Sequence, residues 1–183
     1  MKFTFLLRPD REMITMIVLL RVDDRLLHGQ VAKTWTKKYS VDEILIVSDE
    51  VVDDEFSKMT LCLAKPSNVK LRFVGLDKVK EELLESESSE KNVMCITSNF
   101  QDMDRVICVL PQTRYVNVGG LRNCQSGENI QITPTVFVTP KDVAIIKKWD
   151  ENGIQIGIRQ IPGEKDIWMD EVLFDDGYVT TNS

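Results

Sequence analysis

The chain is predicted to fold as a single α/β domain, an open and mainly parallel β-sheet with helices on both faces. Three observations predict it. Short β-rich runs alternate with helical patterns from residue 16 onward. The strand runs are near-continuous Val, Ile and Leu, the pattern of strands covered on both sides. A length of 183 residues suits one domain and is enough to bury a core without metal or disulfide staples.

Met16–Val22 reads as the first strand, and Gln30–Tyr39 as a helix with Val31 and Trp35 on one face, which makes Trp35 a core residue. Glu43–Val47 is a second strand, followed by the helix-start residues Ser48, Asp49 and Glu50. Asp54–Lys65 carries Phe56, Met59 and Leu63 at helical spacing until Pro66 stops it. Val69–Val74 is a third strand, Leu76–Leu84 a helix, Glu85–Lys91 a polar surface loop and Asn92–Thr97 a fourth strand. Met103–Leu110 is helical, and Tyr115–Val118 is a fifth strand running into Gly119 and Gly120. Ile130–Thr133 and Thr135–Val138 are two shorter strands.

The next helix has the clearest start in the chain. Thr139 can cap it, Pro140 suits its first position and Asp142 completes a capping box, while Gly153 ends it after Asn152. Ile154–Ile161 alternates as a strand, and Lys165–Leu173 is expected to form a last helix. The domain therefore occupies residues 16–174, between an extension at 1–15 and a polar tail at 175–183, with Met16 an alternative start.

Composition removes several classes of function. Twenty-nine acidic against 23 basic residues give a net charge of −6, the wrong sign for a nucleic-acid binder or for attachment to anionic lipid by charge alone. Cys62, Cys95, Cys108 and Cys124 form no CxxC pair, so zinc and thioredoxin readings lack support, and reduced, mostly buried thiols are expected. No metal and no cofactor is expected. The apolar runs are too short to span a bilayer, and the opening residues lack a signal peptide's apolar core and cleavage site.

Chemistry concentrates in Arg21-Val-Asp-Asp-Arg-Leu-Leu-His-Gly-Gln-Val31, which holds the single histidine, His28, between the first strand and the first helix. In parallel α/β sheets such strand-to-helix turns are where sites gather, above all where strand order reverses. Imidazole is a good nucleophile near neutral pH. Arg25 presents a planar fork to phosphate oxygens. Gly29 permits close backbone approach, and the helix start offers free N–H groups and a positive dipole end. Asp23 or Asp24 can accept a hydrogen bond from one ring nitrogen and leave the other as nucleophile, although the residues do not decide which. Gln30 can add a side-chain hydrogen bond. Gly119 and Gly120 either leave room for a phosphoryl group or form a simple turn. Lys65, Ser67 and Asn68 either line the mouth of the site or form a solvated helix end.

The segment RVDDRLLHGQV resembles the phosphorylation-site motif of the mannose–fructose–sorbose family of bacterial phosphotransferase-system (PTS) IIB components. Ile46–Glu50 (IVSDE), Ala64–Lys70 (AKPSNVK), Val116–Arg122 (VNVGGLR) and Ile158–Pro162 (IRQIP) are also similar to family segments, in the same order. The resemblance covers about Ile17 to Leu173. It implies an open parallel α/β sheet. It also implies a phosphocarrier that takes a phosphoryl group from a phospho-IIA protein and passes it to a sugar imported by a IIC/IID membrane permease.

His28 matches the phosphorylated histidine, by the resemblance on Nδ1; Arg25 matches the arginine at the phosphoryl group and Asp23 the acidic position. A cytoplasmic location, peripheral to the membrane through the permease, follows from the same resemblance, which also leaves a homodimer open. The runner-up is a phosphorylation-sensing regulatory module of the same fold, against which the intact histidine motif argues. A hydrolase would need a nucleophile setting such as GxSxG, which is absent. An aspartyl phosphoacceptor at Asp23 or Asp24 would leave Arg25 and His28 unexplained.

Overall fold

The computed structural model describes residues 4–5, 15–84, 91–122 and 129–175. In chain order the elements are β1 (Thr4–Phe5), β2 (Thr15–Asp23), α1 (Gly29–Tyr39), β3 (Glu43–Val47), α2 (Asp49–Asp53), α3 (Glu55–Ala64), β4 (Lys70–Val74), α4 (Val79–Leu84), β5 (Lys91–Thr97), α5 (Phe100–Cys108), β6 (Tyr115–Gly120), β7 (Ile130–Thr133), β8 (Val136–Val138), α6 (Pro140–Glu151), β9 (Gln155–Ile158) and β10 (Ile167–Trp168). A π-helical turn, Glu171–Asp175, follows.

The main sheet runs β10-β9-β6-β2-β5-β3-β4, with β1 added to the start of β2 and β7–β8 forming a separate hairpin. All neighbours are parallel except β1–β2 and β9–β10. From β2 the chain fills one side of the sheet with β3, β4 and β5, then crosses to β6 on the other side. The carboxyl ends of β2 and β6 therefore form the point where strand order reverses.

Both sheet faces are apolar, and two core clusters result. One packs Leu20, Val22, Val116, Val118, Ile156 and Ile158 beneath α5 and α6. The other packs Leu19, Ile44, Ile46 and Met94 beneath Val31, Ala32 and Trp35 of α1 and Leu61 of α3. Strand side chains alternate between faces. Since Leu20 and Val22 point one way, Arg21 and Asp23 point toward α1; since Val116 and Val118 do the same in β6, Asn117 and Gly119 join them. This alternation assembles the site.

The sequence cues for helix starts are realised. The Ser48 hydroxyl accepts from Val51 N at the head of α2, the Asp54 carboxylate accepts from Phe56 N and Ser57 N at the head of α3, and Thr139 with Asp142 forms a complete capping box. Gly153 adopts φ +72° just past α6, a left-handed conformation that glycine reaches without steric cost.

The α3 stripe has a direction that spacing leaves open, and other expectations need correction. Phe56, Met59 and Leu63 share a face of α3, but that face points to solvent, with exposures of 76%, 63% and 84%. Leu61, on the opposite side of the helix, is the residue that packs on the sheet; spacing identifies a stripe, not its direction. Lys165–Leu173 is not one helix. Ile167 and Trp168 instead pair antiparallel with β9, and Trp168 packs edge-on against Tyr115 at 6.3 Å. The strand expected over Ile154–Ile161 ends at Ile158, because Arg159 and Gln160 leave it to bond around the site.

Of the cysteines, Cys95 is buried, which pushes its thiol up to about 12, whereas Cys62 and Cys108 are exposed on their helices rather than buried. Cys124, most of the 1–15 extension, most of the Glu85–Lys91 loop and residues 176–183 lie outside the described residues.

Candidate functional site at the carboxyl ends of β2 and β6

β2 ends at Asp23, and the chain turns sharply before α1. The turn is held by Leu26 N donating to Asp23 O at 2.8 Å and by Arg25 N donating to the Asp23 carboxylate at 3.1 Å. Leu26 takes φ +54°, a left-handed conformation costly for a branched side chain, and the burial of Leu26 and Leu27 in the α1-side core holds it there. The result places His28 as the N-cap residue of α1, in an extended conformation and with no side-chain cap bond. The first-turn N–H groups and the positive end of the helix dipole therefore face the same space as the imidazole.

Two charged groups meet the His28 ring, both at Nε2. Arg25 Nη2 lies 3.0 Å away and the Asp23 carboxylate 3.5 Å away. Neither engages Nδ1. Burial pulls the His28 pKa below its usual value, Asp23 pushes it back up and Arg25 lowers it again. The net direction favours the neutral imidazole at pH 7. Asp23→Asn removes the influence that raises the pKa, so its imidazole should titrate at lower pH than in the parent protein. Arg25→Ala should titrate at higher pH. An NMR titration of the one histidine measures both shifts, and movement in the opposite directions would contradict this electrostatic picture.

Beneath the ring lies a buried polar layer that sequence reasoning missed. Arg21 is fully buried and donates to the Asp23 carboxylate at 2.8 Å, to the Asn117 side chain, and to the backbone carbonyls of Arg159 and Gln160 at 3.1 and 3.4 Å. Asn117 donates in turn to Gly157 O and Arg159 O. Trp35 is a core residue, as its spacing predicted. Its indole N–H donates to Gln160 O at 2.9 Å, and the guanidiniums of Arg21 and Arg159 lie 5.4 and 5.1 Å from its ring centroid. Arg159 also pairs with Asp166, which accepts from Tyr115 Oη at 3.0 Å. The available signal was the alternation itself, since Arg21 and Asp23 in β2, and Asn117 and Gly119 in β6, are same-face positions in otherwise apolar strands.

The other sequence-selected residues divide. Asp24 turns away from the ring: its carboxylate accepts from Arg122 N at 2.5 Å and pairs with the Arg122 guanidinium at 3.5 Å, tying the turn to the end of β6. Gly119 is no turn residue. It sits within β6, where a Cβ would come within 1.9 Å of Arg21 Nη2 and 2.4 Å of the Asp23 carboxylate, so its missing side chain makes room for that ion pair. Gly119→Ala should destabilise the fold by about 1–3 kcal/mol, the usual cost of overpacking, measurable as a lower denaturant midpoint. At Gly120 the nearest atoms a Cβ would meet are those of the Arg122 guanidinium. Gly29 has open space above it, and Gln30 stands exposed on the first turn of α1.

Lys65, Ser67 and Asn68 are not at the mouth. They precede β4, at the amino edge of the sheet, and Lys65 Nζ donates to Val69 O at 3.0 Å. A groove of about 760 Å³ nevertheless runs from Gly29 along α1 to these residues, lined by Lys33, Lys37 and Lys65 against one acid, Asp42.

The fold and this geometry define a class: an open α/β protein with a neutral imidazole and a guanidinium at an uncapped helix start, where strand order reverses. Comparison with known proteins gives the family. Residues 17–183 match the family described as the PTS system sorbose subfamily IIB component, and the chain belongs to it.

It is 32% identical over 148 residues to the fructose-specific EIIB component of Bacillus subtilis, covering 81% of this chain and 90% of that protein. It is 32% identical over 157 residues to the mannose-specific EIIAB component of Escherichia coli K12, covering 86% of this chain but 48% of that longer protein. The crystal structure of the IIBSor domain of the Klebsiella pneumoniae sorbose permease superposes with a TM-score of 0.80 at 25% identity, covering 89% of this chain and 99% of that one. The chain is thus a phosphocarrier IIB component, a phosphotransferase of the sugar-transport PTS. The regulatory alternative is not favoured.

Proposed function

We propose that His28 carries the phosphoryl group, accepting it from a phospho-IIA protein and giving it to a sugar at a IIC/IID permease. One observation carries this reading: a neutral imidazole at an uncapped helix start whose two charged contacts both fall on Nε2. Nδ1 is the ring nitrogen left open to an incoming phosphoryl group, and it is the nucleophile in the tautomer protonated at Nε2. Its lone pair attacks the donor's phosphorus, the donor's P–N bond breaks, and that electron pair returns to the donor imidazole. Arg25 can donate to Nε2 only while that nitrogen is unprotonated. In the tautomer protonated at Nε2, the proton points to Asp23, Nδ1 is free to attack, and Arg25 turns to the equatorial oxygens with the α1 N–H groups. In the second transfer a sugar hydroxyl attacks phosphorus, its proton passes to a base on the permease side, and the P–N bond breaks and returns its electron pair to His28 Nδ1.

Asp23 cannot swing toward the phosphoryl group, because Arg21 and the Arg25 backbone hold both of its oxygens. Gly29 and Gln30 border the approach. The lysine-lined groove continuing from Gly29 favours an acidic segment on the docking partner. Among the described residues no helix is long and apolar enough to cross a membrane, so the permease is what would hold this component at the cytoplasmic face.

The test is phosphorylation of the purified chain by phosphoenolpyruvate, the general phosphotransferase proteins and a family IIA, followed by transfer to sugar in vesicles containing the permease. One acid-labile, base-stable phosphoryl group, discharged by a transported sugar, is expected. A label that no sugar discharges would sink the carrier role.

A further inference from the structure

The Asp23 carboxylate serves two neighbours through one oxygen. Arg21 Nη2 donates to Asp23 Oδ2 at 2.8 Å, and His28 Nε2 lies 3.5 Å from the same Oδ2. The other oxygen, Oδ1, accepts from Arg25 N. The arginine therefore holds the closer contact with the oxygen that faces the ring.

Arg21 is fixed on its far side as well. The Asn117 side chain and the carbonyls of Arg159 and Gln160 accept from it, and the ring centroid of Trp35 lies 5.4 Å from its guanidinium carbon. All of these partners are neutral, so the charge of Arg21 is directed at Asp23. Burial pulls the guanidinium below its ordinary pKa and Asp23 pushes it back up, and an arginine starts so high that it remains a cation at neutral pH.

A carboxylate beside a nucleophilic imidazole needs this restraint. Left without its cation, a buried carboxylate draws a proton onto the neighbouring ring and holds it there. An imidazolium is protonated at both nitrogens and has no lone pair for phosphorus. Arg25 cannot supply the restraint during transfer, since it then turns to the phosphoryl oxygens. Arg21 stays where it is.

We propose that Arg21 is a positioning residue for the transfer: it fixes and offsets the Asp23 carboxylate, so that Asp23 orients the Nε2 proton of His28 without charging the ring. The inference rests on His28 being the phosphoryl acceptor. The charged groups that face the ring are Asp23 and Arg21 from β2 and Arg25 from the turn, with the direct effect of Arg21 the smallest. The first turn of α1 brings no acidic side chain. From β6 the neighbour of Arg21 is the neutral Asn117, and beyond β9 Arg159 is paired with Asp166.

The test is a 15N NMR titration of the His28 ring, paired with the rate of phosphoryl acceptance from a family IIA between about pH 5 and about pH 9. Arg21→Gln keeps an amide donor but removes the charge, and should raise the ring's midpoint by about one pH unit. Acceptance should then fall about fivefold near pH 6 and little near pH 8, because only the neutral ring reacts. Arg21→Lys restores a cation and should return the midpoint toward that of the parent. In an Asp23→Asn background, which has no carboxylate to orphan, Arg21→Gln should leave the midpoint nearly unchanged.

A midpoint that Arg21→Gln does not move, or a loss of acceptance equal at every pH, overturns the proposal and leaves Arg21 a purely structural role. A rise of about one pH unit in the Asp23→Asn background overturns it too, because Arg21 would then act on the ring without Asp23. That comparison decides the matter should Arg21→Gln alone fail to fold. The midpoint is read on unphosphorylated protein, so failure of the carrier reading shows separately, as a parent protein that takes no phosphoryl group.

Discussion

His28→Ala is expected to give a folded protein that accepts no phosphoryl group. The fold survives because the imidazole makes no cap bond to α1 and is a quarter exposed, so the change in stability should stay within about 1 kcal/mol. Acceptance is lost entirely, rather than slowed, because the chain holds no second histidine to take over. Arg25, the α1 N–H groups and the groove would remain in place and still dock a donor, but stabilising a transition state needs a nucleophile to form it. Intact mass after the phosphorylation reaction reads the result directly. An acid-labile adduct on His28→Ala would move the acceptor elsewhere.

Arg21→Met should cost the most stability of any single change at the site, about 3–5 kcal/mol, seen as a lower denaturant midpoint. Arg21 is fully buried and feeds four acceptors: the Asp23 carboxylate, the Asn117 side chain, and the carbonyls of Arg159 and Gln160. Methionine fills the volume but leaves Asp23 buried without its cation, and the penalty is chiefly that orphaned charge. The double variant Arg21→Met/Asp23→Asn removes the charge as well and should recover part of the loss. Were the double variant no more stable than the single, the cost would lie in packing or in the carbonyl contacts instead.

The elements were legible because their signals are local. Thr139, Pro140 and Asp142 mark the start of α6 within four residues, and the Val-Ile-Leu run of β3 announces a strand covered on both sides. The reactive end of the site was legible for the same reason, since Asp23, Arg25, His28 and Gly29 lie within seven consecutive residues. Its foundation was not. Arg21 meets Asn117 across 96 residues and Arg159 across 138, contacts that exist only because β6 and β9 take their places beside β2, and strand order is not written in any one segment. Gly119 shows the limit most clearly: the glycine was noticed, but what occupies the space it leaves, the Arg21–Asp23 pair, depends on that order. At α3 the helical spacing of Phe56, Met59 and Leu63 was legible, but not that their face points to solvent while Leu61 packs on the sheet.

The claim that His28 carries the phosphoryl group is tested most directly by 15N NMR of histidine-labelled protein before and after phosphorylation. The chain contains one histidine, so the spectrum holds one imidazole and needs no assignment. The account predicts that Nδ1 acquires the phosphoryl coupling while Nε2 stays protonated toward Asp23. A protein that gains one phosphoryl group by mass with both imidazole resonances unchanged would contradict it.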